Sequence, residues 1–162
     1  MPVSPLAVRF RELRSQSKLK LAIFGMPGTR LLALERHRNL LTAMVKAGIV
    51  ENILIMGKAH ADDVQTARLE KLQRSIGGSW RSVFDAAGEK IADELACCHL
   101  GVAANAAGLI TKSGVFAAFA ANGVVPLVWN SDGCAVPDVF RECVLLNDDS
   151  AETCRRLLED LR

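Results

Sequence analysis

The sequence predicts an α/β fold: a three-layer, Rossmann-like domain built on a doubly wound parallel sheet of about six strands, with helices on both faces. Three observations carry this reading. Short unbroken apolar runs recur, such as Leu19-Lys20-Leu21-Ala22-Ile23-Phe24 and Asn52-Ile53-Leu54-Ile55-Met56, which suit strands buried on both faces. Segments with helical apolar spacing separate them. Glycines and N-capping residues punctuate the joins. In such sheets ligands bind beyond the carboxyl ends of the strands, so function is sought in the loops that follow them.

Residues 1–18 read as a polar lead-in, with a short helical stretch from Leu6 to Leu13, and residues 19–162 as the single Rossmann-like domain. The first strand spans 19–24 and runs into the turn Gly25-Met26-Pro27-Gly28-Thr29. A helix is expected from Leu31, with Leu34, Leu41, Met44 and Val45 on its apolar stripe, His37 on or beside it, and Gly48 as its stop. The second strand, 52–56, ends at Gly57-Lys58. Asp62 and Asp63 suit the first turn of a helix that continues through Val64, Leu72 and Ile76 to Gly77-Gly78. Trp80 to Phe84 is a third strand, and Ile91, Leu95 and Cys98 mark the helix after Gly88. Leu100 to Ala104 is a fourth. Ser113 caps a helix that reaches Asn122 and stops at Gly123. Strands at 127–129 and 143–146 follow, and Ser150 caps a last helix with Cys154, Leu157, Leu158 and Leu161 on one stripe.

Composition narrows the function. Half of the 162 residues are hydrophobic and 23% are charged, which excludes wholesale disorder. The net charge of +2 calls for no nucleic acid partner, although residues 1–81 carry +8 and residues 82–162 carry −6. No apolar run approaches the roughly 18–20 residues that span a bilayer. The start, Met1-Pro2-Val3-Ser4-Pro5, lacks the order of a secretory signal, so a cytoplasmic location is expected. The five cysteines (Cys97, Cys98, Cys134, Cys143, Cys154) show no C-x-x-C spacing and read as free thiols, one of the adjacent pair facing a core. No metal-ligand spacing, no pair of carboxylates and no Ser-His-Asp set emerges, which disfavours a self-contained hydrolase.

Three post-strand loops carry the candidates. In the first, Gly25, Gly28, Thr29 and Arg30 precede or open a helix, where small residues let backbone approach an anion and an exposed arginine would clamp phosphate; an ordinary strand-to-helix turn is the other reading. In the second, Lys58 follows a strand and is either a site cation or a solvated one, with His60 as polar lining. In the third, Lys112, Ser113, Gly114 and Val115 combine a cation with the free N–H groups of a helix start; a plain serine cap is the alternative.

The stretch from Leu100 to Asn105, then Leu109-Ile110-Thr111-Lys112-Ser113-Gly114-Val115-Phe116, then Asn122-Gly123-Val124-Val125-Pro126-Leu127-Val128, resembles the C-terminal, nucleotide-sugar-binding domain of GT-B glycosyltransferases. The resemblance implies that Gly25, Gly28, Thr29, Arg30, Lys58, Lys112, Ser113, Gly114 and Val115 face the donor diphosphate. It places Ile110, with His60, near the nucleoside or sugar. The implied ligand is a UDP- or GDP-sugar, held with no cofactor and no obligatory metal. Where many retaining members carry two glutamates eight residues apart, this chain has Ile110 and Ala118, whose side chains cannot hydrogen-bond a hydroxyl. The family also joins two such domains around its active site. The resemblance therefore implies an N-terminal domain or partner chain, with a homo-oligomer as another arrangement, and no full transferase activity from this chain alone. Two other readings stand beside it. One is a non-catalytic, Rossmann-like nucleotide- or phosphate-binding regulatory protein. The other is an NADP-linked reductase, weakened by the glycine spacing and by Lys58 where an acidic residue would hold a ribose.

Overall fold

A computed structural model describes residues 18–130, 144–146, 148 and 150–160. Strands β1 (Leu19–Gly25), β2 (Val50–Gly57), β3 (Trp80–Phe84), β4 (Leu100–Ala106) and β5 (Val125–Trp129) form an all-parallel sheet in the order β3-β2-β1-β4-β5. A three-residue strand, β6 (Val144–Leu146), continues it in parallel beyond β5. The described helices are α1 (Pro27–Arg36), α2 (Arg38–Lys46), α3 (Asp63–Ile76), α4 (Gly88–Ala96), α5 (Gly114–Ala121) and α6 (Ala151–Asp160), with a 3₁₀ segment at Ala107–Lys112. This is the doubly wound, Rossmann-like arrangement that the sequence predicts. The lead-in with Leu6 and Phe10, and Cys134, Cys143 and Leu161, lie outside the described residues.

The central strands β1, β2, β4 and β5 are largely buried on both faces because each face has its own core, whereas β3 exposes Arg81 and Ser82. Leu21, Ile23, Ile53, Ile55, Val102 and Leu127 point to α1, α2, α3 and α6, where Leu34, Leu41, Met44, Leu72 and Cys154 meet them. Ala22, Leu54, Met56, Val83, Ala103 and Val128 point the other way, to Ile91 and Leu95 of α4 and to Phe116 and Phe119 of α5. Alternation within an apolar run thus serves two helical layers at once. Cys98 belongs to the second core, and its thiol donates to the Glu94 carbonyl at 3.3 Å.

The expected single helix from Leu31 begins earlier and is broken. Pro27 sits at the first helical position, where its fixed φ and missing N–H are tolerated, so the supposed turn is the first turn of α1. At His37 the backbone leaves the helix (φ −105°, ψ 12°), and α2 starts one residue later. The break drops the imidazole into the sheet, where Nε2 lies 3.0 Å from the Ala103 carbonyl oxygen. Arg36 Nη1 donates to the neighbouring carbonyl of Ala104.

Those two carbonyls need side-chain partners because the sheet opens there. β1 and β2 stay in register from Lys20 opposite Asn52 to Gly25 opposite Gly57, after a shift between Leu19 and Lys20. β1 and β4 pair only at Leu21–Leu100 and Ala22–Gly101, and the β4–β5 register slips between Val102 and Ala106. The strand order reverses between β1 and β4, so the opening falls at the topological switch point.

Gly101 sets how closely α5 approaches this opening. A Cβ there would lie 2.7 Å from ring carbons of Phe119, which is fully buried. Gly101→Ala therefore forces Phe119 and α5 outward and should cost about 1–3 kcal/mol of stability, as overpacking generally does. Urea unfolding of the variant beside the wild type checks this, and unchanged stability would show that α5 is free to shift.

Candidate functional site

An open cavity of about 750 Å³ lies at the carboxyl edge of the sheet, beside the switch point. Its walls come from four directions. The end of β1 and first turn of α1 give Phe24, Gly25, Met26 and Thr29; the end of β2 gives Gly57 and Lys58. Asp85 follows β3, and Gly88, Ile91 and Leu95 lie along α4. The first turn of α5 supplies Gly114 and Val115.

Two strand-end glycines, Gly25 and Gly57, are register partners and form a rim without side chains. Both take a left-handed φ, 130° and 128°. A Cβ on Gly57 would fall 2.2 Å from the Gly25 carbonyl oxygen, and one on Gly25 would fall 3.1 Å from Val115 Cγ2. The second distance places the α5 N-terminus directly against the β1 loop. Ser113 caps that helix by accepting from the Phe116 N–H at 3.2 Å, and it is buried. Its hydroxyl is thus engaged, while Gly114 and Val115, in the first turn, carry N–H groups with no intrahelical acceptor.

Of the residues singled out from the sequence, Gly25, Thr29, Lys58, Gly114 and Val115 line one cavity. Lys112 is exposed at the end of the 3₁₀ segment and does not line it. Gly28 is exposed in the first turn of α1, and a Cβ there would meet nothing within 4 Å. Ile110 falls in the 3₁₀ segment, and its side chain is not among those described. His60 stands outside the cavity wall, half-buried, with its ring edge-on to Phe84 at 6.2 Å. Burial, and then the charge of Arg30, hold its pKa below the usual histidine value.

Arg30 departs most from expectation. It is not an exposed loop cation: its relative exposure is 0%. Long side chains in a first helical turn point back toward the N-terminus, and here that direction leads under the sheet rim. Nη1 donates to the carbonyls of Gly25 (2.6 Å) and Met56 (3.3 Å), and Nη2 to that of Lys58 (2.5 Å). The guanidinium also stacks over Phe84, 4.9 Å from its centroid. Burial lowers its pKa to about 10, against a smaller opposing pull from Asp85, so it stays charged at neutral pH.

Asp85 was not singled out by sequence reasoning. It takes φ +52°, the left-handed region, immediately after β3. Its N–H donates to the Gly57 carbonyl (2.9 Å), and its Oδ1 accepts weakly from the Ala59 N–H (3.4 Å). Lys58 Nζ lies 3.6 Å from the same oxygen, an exposed ion pair that contributes about 0–1 kcal/mol and is easily exchanged. Its signal in the sequence is position alone, one residue beyond a strand at the ligand-bearing edge.

Among the described residues no cluster of three or more His, Cys, Asp or Glu is placed to hold a metal ion, and no helix is long and apolar enough to cross a membrane. Cys97 and Cys98 are free thiols; Cys97 is exposed, and burial pushes the Cys98 thiol up to about 11. No model of a known protein family matches the chain, and no curated protein matches it. The class that fold and cleft define is thus a Rossmann-like α/β domain with an open cavity beside its switch point.

His37 forms part of the scaffold behind this cavity. Its Nε2–H donates to Ala103, which leaves a bare, buried Nδ1 without a partner. Protonating that nitrogen would bury a charge with no acceptor, and desolvation accordingly lowers the pKa to about 4. A histidine depressed in the fold contributes stability above its unfolded value near 6.5 and loses it as pH falls toward 4. Acidification through that window should remove about 3 kcal/mol by linkage. Urea unfolding at several pH values checks it; a His37→Gln variant should flatten the profile, and an equally steep one would assign the loss to other groups.

Proposed function

We propose that this domain binds a nucleoside diphosphate sugar through its diphosphate and acts as the donor-binding half of a glycosyltransferase. One observation carries the reading: the first turns of α1 and α5, together with Lys58, converge on a single cleft. Helix N-termini present N–H groups and partial positive charge, the chemistry that anionic phosphate oxygens require. The side-chain-free rim of Gly25 and Gly57 suits close approach of a ligand to backbone. As the glycosidic bond to the leaving diphosphate breaks, its phosphates gain negative charge. Fixed N–H groups and Lys58 would stabilise that charge more than they stabilise the bound donor, which is what accelerates transfer.

Apart from Asn122, the wall that α4 and α5 give the cleft is apolar. Ile91 and Leu95 of α4 face Val115 and Ala118 of α5, a surface suited to a nucleobase or sugar face rather than to a second charged group. Among the described residues Asp85 is the one carboxylate lining the cavity, and it is paired with Lys58. In this reading the acceptor and its base come from a second domain or partner chain. The same observation favours the alternative reading, a nucleotide-binding regulatory domain that catalyses nothing.

A thermal-shift panel of UDP, GDP, UDP-sugars, NADP and uridine separates the readings. A diphosphate at 100 times its Kd should stabilise the fold by about 2.7 kcal/mol, with uridine giving far less. Lys58→Ala should weaken diphosphate binding by roughly 1.5–3 kcal/mol, the scale of a charge-assisted hydrogen bond, with folding retained, whereas Lys112→Ala, outside the cavity lining, should change it far less. The chain alone should turn over no nucleotide sugar. Absence of stabilisation by every diphosphate would overturn the proposal, and a response to NADP alone would transfer it to the reductase class.

A further inference from the structure

We infer that Arg30 is a positioning residue for this cleft: it draws the strand-end carbonyls inward so that Lys58 and backbone N–H groups, rather than carbonyl oxygens, face an anionic ligand. The inference rests on the diphosphate reading and adds how the site acquires its polarity.

Strands β1 and β2 end side by side at the cavity, and a parallel strand end presents carbonyls beyond its last ladder bond. Unpartnered, these oxygens would meet a diphosphate with negative charge. Here the carbonyls of Gly25, Met56 and Lys58 all accept from one guanidinium. The Lys58 carbonyl is turned under the rim, while its side chain lines the cavity above. The Gly57 carbonyl is taken separately, by the Asp85 N–H at 2.9 Å. Four rim carbonyls are therefore occupied, three by the Arg30 guanidinium and one by a backbone N–H.

The geometry leaves Arg30 no direct contact with a ligand. Its side chain is wholly buried, and a Cβ on Gly57 would lie 2.8 Å from Nη1, so the rim glycine lies directly against the guanidinium. Phe84 closes the other side at 4.9 Å. A planar fork with five donors can span several carbonyls, whereas a lysine ammonium is a single point on a differently shaped stem. Arg30→Lys therefore keeps a positive charge and loses the fork.

The test uses inorganic pyrophosphate, which carries no base or sugar, and follows the full chain by ¹⁵N NMR. In the wild type the amides of Gly25, Lys58 and Gly114 should shift on titration. The Arg30 guanidinium signals should be visible before ligand is added and barely move afterwards. Arg30→Lys should lower pyrophosphate affinity at least tenfold while keeping a dispersed spectrum. In a Lys58→Ala background the same change should cost much less, because residues that act through one another are not additive. Three results would overturn the inference: Arg30 signals that respond like those of a direct ligand, a folded Arg30→Lys variant that binds as tightly as wild type, or fully additive losses. The guanidinium signals decide the matter even if the variant does not fold. A wild-type chain that binds no pyrophosphate would instead defeat the diphosphate reading, and this inference with it.

Discussion

The ends of two parallel strands, and one buried cation beneath them, set the form of this molecule's ligand-bearing edge. β1 and β2 run in register to a pair of glycines, and Arg30 ties the carbonyls around them together. A buried guanidinium is costly unless its donors are satisfied. Its three carbonyl bonds and the Phe84 ring supply most of that satisfaction, although Nε remains without a partner. The arrangement is reciprocal: the carbonyls need a donor and the cation needs acceptors. Removing either leaves polar groups buried and unpaired, so this corner of the fold is rigid because it has no inexpensive alternative.

On the other side of the switch point the same problem has a second solution. β4 leaves β1 after Gly101, and its carbonyls at Ala103 and Ala104 turn to His37 and Arg36. The break between α1 and α2 delivers these side chains, and an unbroken helix would carry His37 away from the strand. The cleft is therefore open because strands diverge there, and it remains ordered because side chains from one helical junction replace the missing ladder.

Much of the architecture was legible in the sequence. Apolar runs at Leu19–Phe24 and around Ile53–Met56 mark buried parallel strands, and Ser113 marks the α5 start by the cap that it forms. What escaped was decided by tertiary contacts. Arginine is ordinarily exposed, so nothing local says that Arg30 will be buried; its depth follows from the nearby Gly25 carbonyl joined by two more, of Met56 and Lys58, 26 and 28 residues away in the chain. The helix break at His37 follows from an acceptor 66 residues away. Asp85 emerges only once β3 is aligned with β2, which sets its carboxylate beside Lys58. The cleft was readable as loops that follow strands, but the division of labour within it was not.

The central claim is that the cleft takes a diphosphate with Arg30 beneath it rather than on it. A crystal structure of the chain grown with UDP tests this most directly. The account predicts phosphate oxygens within hydrogen-bond reach of the Gly114 and Val115 amides and of Lys58, with Lys58 released from Asp85 and Arg30 still holding its three carbonyls. UDP seated elsewhere, or an Arg30 side chain turned out onto the phosphates, would contradict it.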